Sequence, residues 1–101
     1  MLWSFALFVI VIRYKVPLAQ IDSALADHRG WLDKGFNDGV FILAGPQNPR
    51  TGGVIMACNI TRKDLLTRLA EDPFNRLGLS DFEIIETVVR KTDPRLEFLQ
   101  G

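Results

Sequence analysis

The chain carries a single histidine, His28, and it falls inside an apolar stripe. Leu18, Ile21, Leu25, His28 and Leu32 follow one another at spacings of 3, 4, 3 and 4, which puts all five on one face of a helix. A polar, titratable ring at the centre of such a face needs a hydrogen-bonding partner or a task, because desolvating it unpaired costs about 1–3 kcal/mol. Histidine is also the side chain that changes charge most readily near neutral pH. Two uses therefore compete: a core histidine satisfied by a backbone carbonyl, and a general acid or base. The other candidates for chemistry are Asp72, Arg50 and the Ala44-Gly45-Pro46 turn. Asp72 directly precedes Pro73, the arrangement of an N-cap for a helical turn with proline at its first position. Capping leaves lone pairs over, so the same carboxylate can also orient a histidine. Arg50, in a loop with nearby glycines, is either a solvated side chain or an anchor for a substrate carboxylate or phenolate. Gly45 and Pro46 mark a turn, and a glycine there also lets backbone approach a ligand closely. Trp31 and Trp3 fit packing or an interface better than stacking platforms, and Glu71 fits a solvated helix face.

Other chemistries find little footing. The one cysteine, Cys58, lies in an apolar run and has no partner for an internal disulfide, which fits a core residue in a reducing, cytoplasmic setting. No CxxC or HExxH spacing exists, so neither a metal site nor a bound cofactor is expected. Twelve basic and twelve acidic residues balance to zero, and neither sign forms a block. A nucleic-acid or anionic-membrane partner is thus not indicated. The apolar run Leu2 to Ile12 has no basic residue before it and is too short to span a bilayer, so it reads as a strand rather than a targeting segment.

The elements that must position these residues follow from periodicity. With 101 residues the chain is expected to be one domain, with a core over 6–92, an irregular extension over 1–5 and a polar tail over 93–101 that drapes over a neighbour. Ala6 to Tyr14 is apolar at nearly every position, the pattern of a strand covered on both faces. Pro17 opens a helix to about Phe36, stopped near Asn37-Asp38-Gly39. Val40 to Ala44 is a second strand closed by Gly45-Pro46, and Gln47 to Gly52 is a loop. Val54 to Asn59 is a third strand. Thr61 with Asp64 resembles a capping box for a helix whose inner face is Leu65, Leu66, Leu69 and Ala70. A short turn from Pro73 ends around Gly78, and Asp81 to Lys91 is a fourth strand. The order β-α-β-β-α-β is the ferredoxin-like split βαβ pattern, an α+β fold with a four-stranded antiparallel sheet and two helices on one face.

Two helices cover only one face of such a sheet. Strand one nevertheless offers Leu7, Val9 and Val11 on one side and Phe8, Ile10 and Ile12 on the other, and strand two sets Val40 and Ile42 against Phe41 and Leu43. The second face needs its own cover, and a homodimer packed sheet against sheet is the simplest one. The high hydrophobic content, 48% of residues, points the same way.

Taken together, several segments resemble the YCII-related (YciI-like) family: the strand FVIVIRY, the helix segment DHRGWLDKG, the strand and turn VFILAGPQ, the loop PRTGGVI, the EDPF tetrad and the strand FEIIETVV. The resemblance spans about residues 7–92 and rests on the order and spacing of these segments, since AGP and DPF occur widely. It implies a dimeric α+β barrel with an active-site cleft between subunits and a histidine–aspartate dyad, which falls on His28 and Asp72. It also implies a small-molecule ligand, for which Gly45, Pro46, Arg50 and Phe74 are the candidate contacts. Some members carry an arginine three residues before that histidine; here the position is Leu25, so a role needing that charge has no residue there. One branch of the family is similar to a dehydrochlorinase of chlorinated hydroxyquinols, a substrate that does not transfer to this chain.

The expected function is a small cofactor-free enzyme of lyase or isomerase type. It would perform general acid–base chemistry on a small aromatic or unsaturated acid through His28 and Asp72. The competing expectations are a ligand-binding or regulatory dimer with the same pocket, and a structural dimer in which His28 is a core donor. No nucleophile–base pair or phosphate loop is present, which disfavours covalent hydrolysis and phosphoryl transfer.

Overall fold

The structure is a computed structural model and describes residues 6–100. The expected extension over residues 1–5, with Trp3, lies outside the described residues. The elements are β1 (Ala6–Tyr14), α1 (Leu18–Ser23), α2 (Leu25–Asn37), β2 (Phe41–Pro46), β3 (Gly52–Ala57), α3 (Arg62–Ala70), α4 (Pro73–Arg76) and β4 (Ser80–Val88), followed by a 3-10 segment over Pro94–Gln100. The strands form one antiparallel sheet in the order β2-β3-β1-β4, the ferredoxin-like arrangement, with the two most continuously apolar strands in the middle.

Alternation along β1 decides which face meets the helices. Phe8, Ile10 and Ile12 are buried, and their register partners include Ala57 and Ile55 of β3 and Ile84 and Phe82 of β4. With Phe41 of β2 and Leu65 and Leu69 of α3 they form the main core, against which Trp31 and Leu32 of α2 pack. The opposite face carries no helix. There Leu43, Met56, Val9 and Ile85 stand in one register row across all four strands, and Leu43 and Ile85 are 48% and 45% exposed.

Several details depart from expectation, most of them for a local reason. The helix expected from Pro17 to Phe36 breaks at Ala24 (φ −104°, ψ 1°). Ser23 Oγ donates to the Gln20 carbonyl at 2.7 Å, and the Ala24 N–H donates to Ile21 O, so the last turn of α1 tightens and stops. Leu18 consequently leaves the stripe and is 43% exposed, whereas Ile21 and His28 stay buried. Gly45 and Pro46 do not close β2 but belong to it; β2 is an edge strand, where a proline without an N–H costs no ladder bond. A register shift between Phe41 and Leu43 also breaks the expected alternation there. β3 begins at Gly52 rather than Val54, because the Ile12 carbonyl occupies the space a Cβ at Gly52 would need. β4 ends at Val88 instead of Lys91, and the tail expected to be polar buries Leu99.

Candidate active site

The site forms where α2, α4 and the ends of β1 and β2 meet. α2 carries His28 inward, and Asp72 stands at the N-cap of α4 with an extended backbone (φ −61°, ψ 125°), the conformation that a following proline favours. Asp72 Oδ1 accepts the Phe74 N–H at 3.0 Å and lies 2.8 Å from His28 Nδ1, a contact made across 44 residues of sequence. Cap and histidine partner are thus the same oxygen. The pair is buried, with 10% and 5% of the two side chains exposed.

An ionised carboxylate only accepts, so this contact assigns the proton to Nδ1 and leaves the lone pair of the neutral ring on Nε2. Nε2 has no partner among the described residues, yet it is not among their enclosed, unpartnered polar atoms, so it reaches open space. The ring itself is clamped. Phe74 stacks on it with centroids 3.9 Å apart and planes 7° from parallel, and Trp31 lies 5.7 Å away. Phe74 is held in turn by the edge of Tyr14 at 5.9 Å and by Ile21 and Ala24. Trp31 is a packing residue, meeting Phe41 at 5.1 Å while its indole N–H donates to Arg68 O.

His28 lines a cavity of about 340 Å³, a size in the lower range of small-molecule sites. Gly45, Pro46, Arg50 and Phe74 line the same cavity, and Asp72 stands behind His28 rather than on its wall. Arg50 reaches across to α1, where its guanidinium donates to Asp22 Oδ1 at 2.6 Å. The Asp22 hydrogen bond, helped by Tyr14, raises its pKa above the usual arginine value. Among the further lining residues, Tyr14 and Arg29 bring polar groups that the sequence reading did not assign to the site. Signals for them existed. Tyr14 continues the period of two from Ile10 and Ile12, and Arg29 is four residues after Leu25 and three before Leu32, which puts it beside His28 on the same face.

Among the described residues no three His, Cys, Asp or Glu side chains come together as a metal site would require. Cys58 is buried, and desolvation pushes its thiol pKa up. None of the described helices is long and apolar enough to cross a membrane.

A ferredoxin-like antiparallel sheet with a buried histidine–aspartate contact opening on a small cavity is the class of protein defined so far. The chain belongs to the YCII-related domain family, which matches residues 6–88. Among solved structures it is similar to a 5-chloro-2-hydroxyhydroquinone dehydrochlorinase (TftG) from Burkholderia phenoliruptrix AC1100, in complex with 2,5-dihydroxybenzoquinone. The TM-score is 0.68 at 18% identity, over 85% of this chain and 95% of that one. It is also similar to SnoaB, a cofactor-independent oxygenase from Streptomyces nogalater, with a TM-score of 0.51 at 17% identity over 88% of this chain and 96% of that one. At such identities the likeness is one of fold. No curated protein matches the sequence.

Proposed function

We propose that this protein is a small enzyme working without a bound cofactor, performing general acid–base chemistry of lyase or isomerase type on a small aromatic or unsaturated acid. One observation carries the reading: a buried His28 whose Nδ1 is taken by Asp72 at 2.8 Å while the ring lines a cavity. Nε2 removes a proton from an O–H or activated C–H of the ligand. The electron pair left behind is delocalised into the unsaturated system, where it either expels a leaving group or takes the proton back at another atom. Asp72 acts through His28, stabilising the imidazolium formed in the first step, and the apolar walls keep water from competing. Gly45, Pro46, Arg50 and Phe74 form the surfaces that the ligand meets.

The cleft belongs to a homodimer in this reading. The row Leu43, Met56, Val9 and Ile85 supports it, because each large apolar side chain fully covered contributes about 1.5–3 kcal/mol. The buried thiol supports a reducing, cytoplasmic setting. Further support comes from what this fold carries elsewhere, a dehydrochlorinase seen with a dihydroxybenzoquinone and a cofactor-independent oxygenase.

The test needs no knowledge of the natural substrate. A panel of phenolic and enolic acids is incubated in D₂O with the protein, and deuterium entry at carbon is followed by NMR, with thermal shift reporting binding. Wild type should accelerate exchange in at least one acid that it binds, and His28→Gln should lose the exchange while keeping the binding. Acids that bind without faster exchange would instead favour a ligand-binding dimer. If His28→Gln lowers stability by about 1–3 kcal/mol and nothing binds the wild type, His28 is a core donor.

A further inference from the structure

The cavity has an uneven charge inventory. Two arginines line it together with His28, Arg29 from α2 and Arg50 from the loop between β2 and β3, and no Asp or Glu is among the described lining residues. Asp72 is spent behind the ring, on Nδ1 and on the Phe74 N–H. Arg50 is already matched, because Asp22 holds it at 2.6 Å. Arg29 is not. Among the described residues it joins none of the ion pairs, although Asp33 stands one helical turn further on and Asp27 two residues before.

A surface arginine without a partner is commonplace; this one differs by its place. Leu25, His28, Arg29 and Leu32 occupy i, i+3, i+4 and i+7 of one helix and all line the cavity. The Arg29 stem therefore runs along the same wall as the His28 ring. Much of the remaining wall is apolar, with Ile12, Ile55 and Phe74. Such a cavity offers a flat apolar body its contacts and leaves one positive charge for an anion, carried by the residue that follows His28 in the helix.

We propose that Arg29 is the anion-binding residue of this cavity, pairing with the carboxylate of an aromatic or unsaturated acid whose ring lies between Leu25, Leu32 and Ile55. The inference rests on the acid–base reading above and deepens it. Its substrate class is a carboxylate rather than a neutral phenol, and its anchor is Arg29 rather than Arg50. A guanidinium suits the task because its fork matches a carboxylate with two parallel N–H donors.

Benzoate and its neutral isostere benzamide are the probes, titrated into wild type, Arg29→Gln and Arg29→Lys and followed by protein NMR. Wild type should prefer benzoate by about tenfold, as a charge-assisted hydrogen bond at a partly exposed site allows. Added salt should weaken that preference. Arg29→Gln should erase it, and Arg29→Lys should restore only part of it, since an ammonium lacks the fork. Arg29 is exposed, so all three proteins should melt alike. Equal binding of the two probes, no saturable binding of benzoate by wild type, or a preference that survives Arg29→Gln would each overturn the proposal. The outcomes also separate the two readings. A preference lost in Arg29→Gln, in a protein that exchanges no protons, keeps the anchor and removes the chemistry. Exchange on acids that is blind to Arg29→Gln does the reverse.

Discussion

Replacing Asp72 tests whether one oxygen does two jobs. In Asp72→Ala the Phe74 N–H loses its cap, which costs about 0.5–2 kcal/mol. The His28 Nδ1–H is also left buried without an acceptor, at about 1–3 kcal/mol. Both bonds end on Oδ1, at 3.0 and 2.8 Å, so the losses come together, about 3 kcal/mol in the middle of the range. For a domain of this size each kcal/mol moves the melting temperature by about 4–8 °C, so a fall of roughly 12–24 °C follows. Asp72→Asn is different. Its amide oxygen can sit where Oδ1 sits and accept both N–H groups, so the cost should be only about 1 kcal/mol, the difference between charged and neutral acceptors. The negative charge that supports an imidazolium is nevertheless gone. The two variants should therefore separate: alanine loses fold stability and proton exchange together, asparagine loses mainly the exchange.

Urea denaturation followed by tryptophan fluorescence reads the stability, because Trp31 lies beside the His28 ring. All proteins are compared at one protomer concentration, since the apparent stability of any oligomer depends on it. An Asp72→Ala protein within about 0.5 kcal/mol of wild type would refute the energetic argument, since a change that small is typical of featureless surface positions. An Asp72→Asn protein with undiminished exchange would refute the claim that the charge serves the chemistry.

Two other predictions follow from the rest of the molecule. Wild type should have the mass of two chains by light scattering at micromolar concentration, and Ile85→Lys, placed on the exposed row of the helix-free face, should shift it to one chain. A wild-type monomer with its native fold intact, or a variant dimer as tight as wild type, would defeat that assembly. Cys58, whose thiol pKa is raised by burial from 9.0, should resist alkylation at pH 8 in the native protein and react at once in urea. The sign of the linkage is that folding disfavours the thiolate, so stability should decline as pH rises past the unfolded value. Rapid native-state labelling would show Cys58 to be accessible.

Residues whose environment is set by local periodicity were legible in the sequence. β1 declared itself by its continuous apolar run and His28 by the 3-4 spacing of its stripe, and the sheet topology followed from the β-α-β-β-α-β order of the elements. Residues whose environment depends on a neighbour in space were not. The break at Ala24 turns on Ser23 taking the Gln20 carbonyl, a competition that no stripe records. Gly45-Pro46 reads as a turn until the sheet order makes β2 an edge, where proline is tolerated. Gly52 reads as loop until the Ile12 carbonyl lies against it. The contact between His28 and Asp72 came from family resemblance, because 44 residues of separation carry no spacing signal. Arg29 was missed although its spacing was visible, since a stripe followed along one line omits the residue beside it.

Asp72 shows how a local rule can deliver a long-range site. Pro73 biases the residue before it toward extended backbone, and Asp72 adopts that conformation. The extended backbone lets the carboxylate fold back onto the Phe74 N–H, which fixes the side chain by a bond it would make in any capped turn. Phe74, placed one turn position later, then lies flat on the imidazole while Asp72 Oδ1 meets Nδ1. Three consecutive residues thus set the tautomer and the tilt of a ring carried by another helix. The entropy of ordering the carboxylate is already spent on the cap, so orienting the histidine adds little to it. An imidazole held this way has its tilt and its Nδ1 partner fixed before any ligand arrives, and under the proposed acid–base role that preorganisation is what a buried ring would contribute.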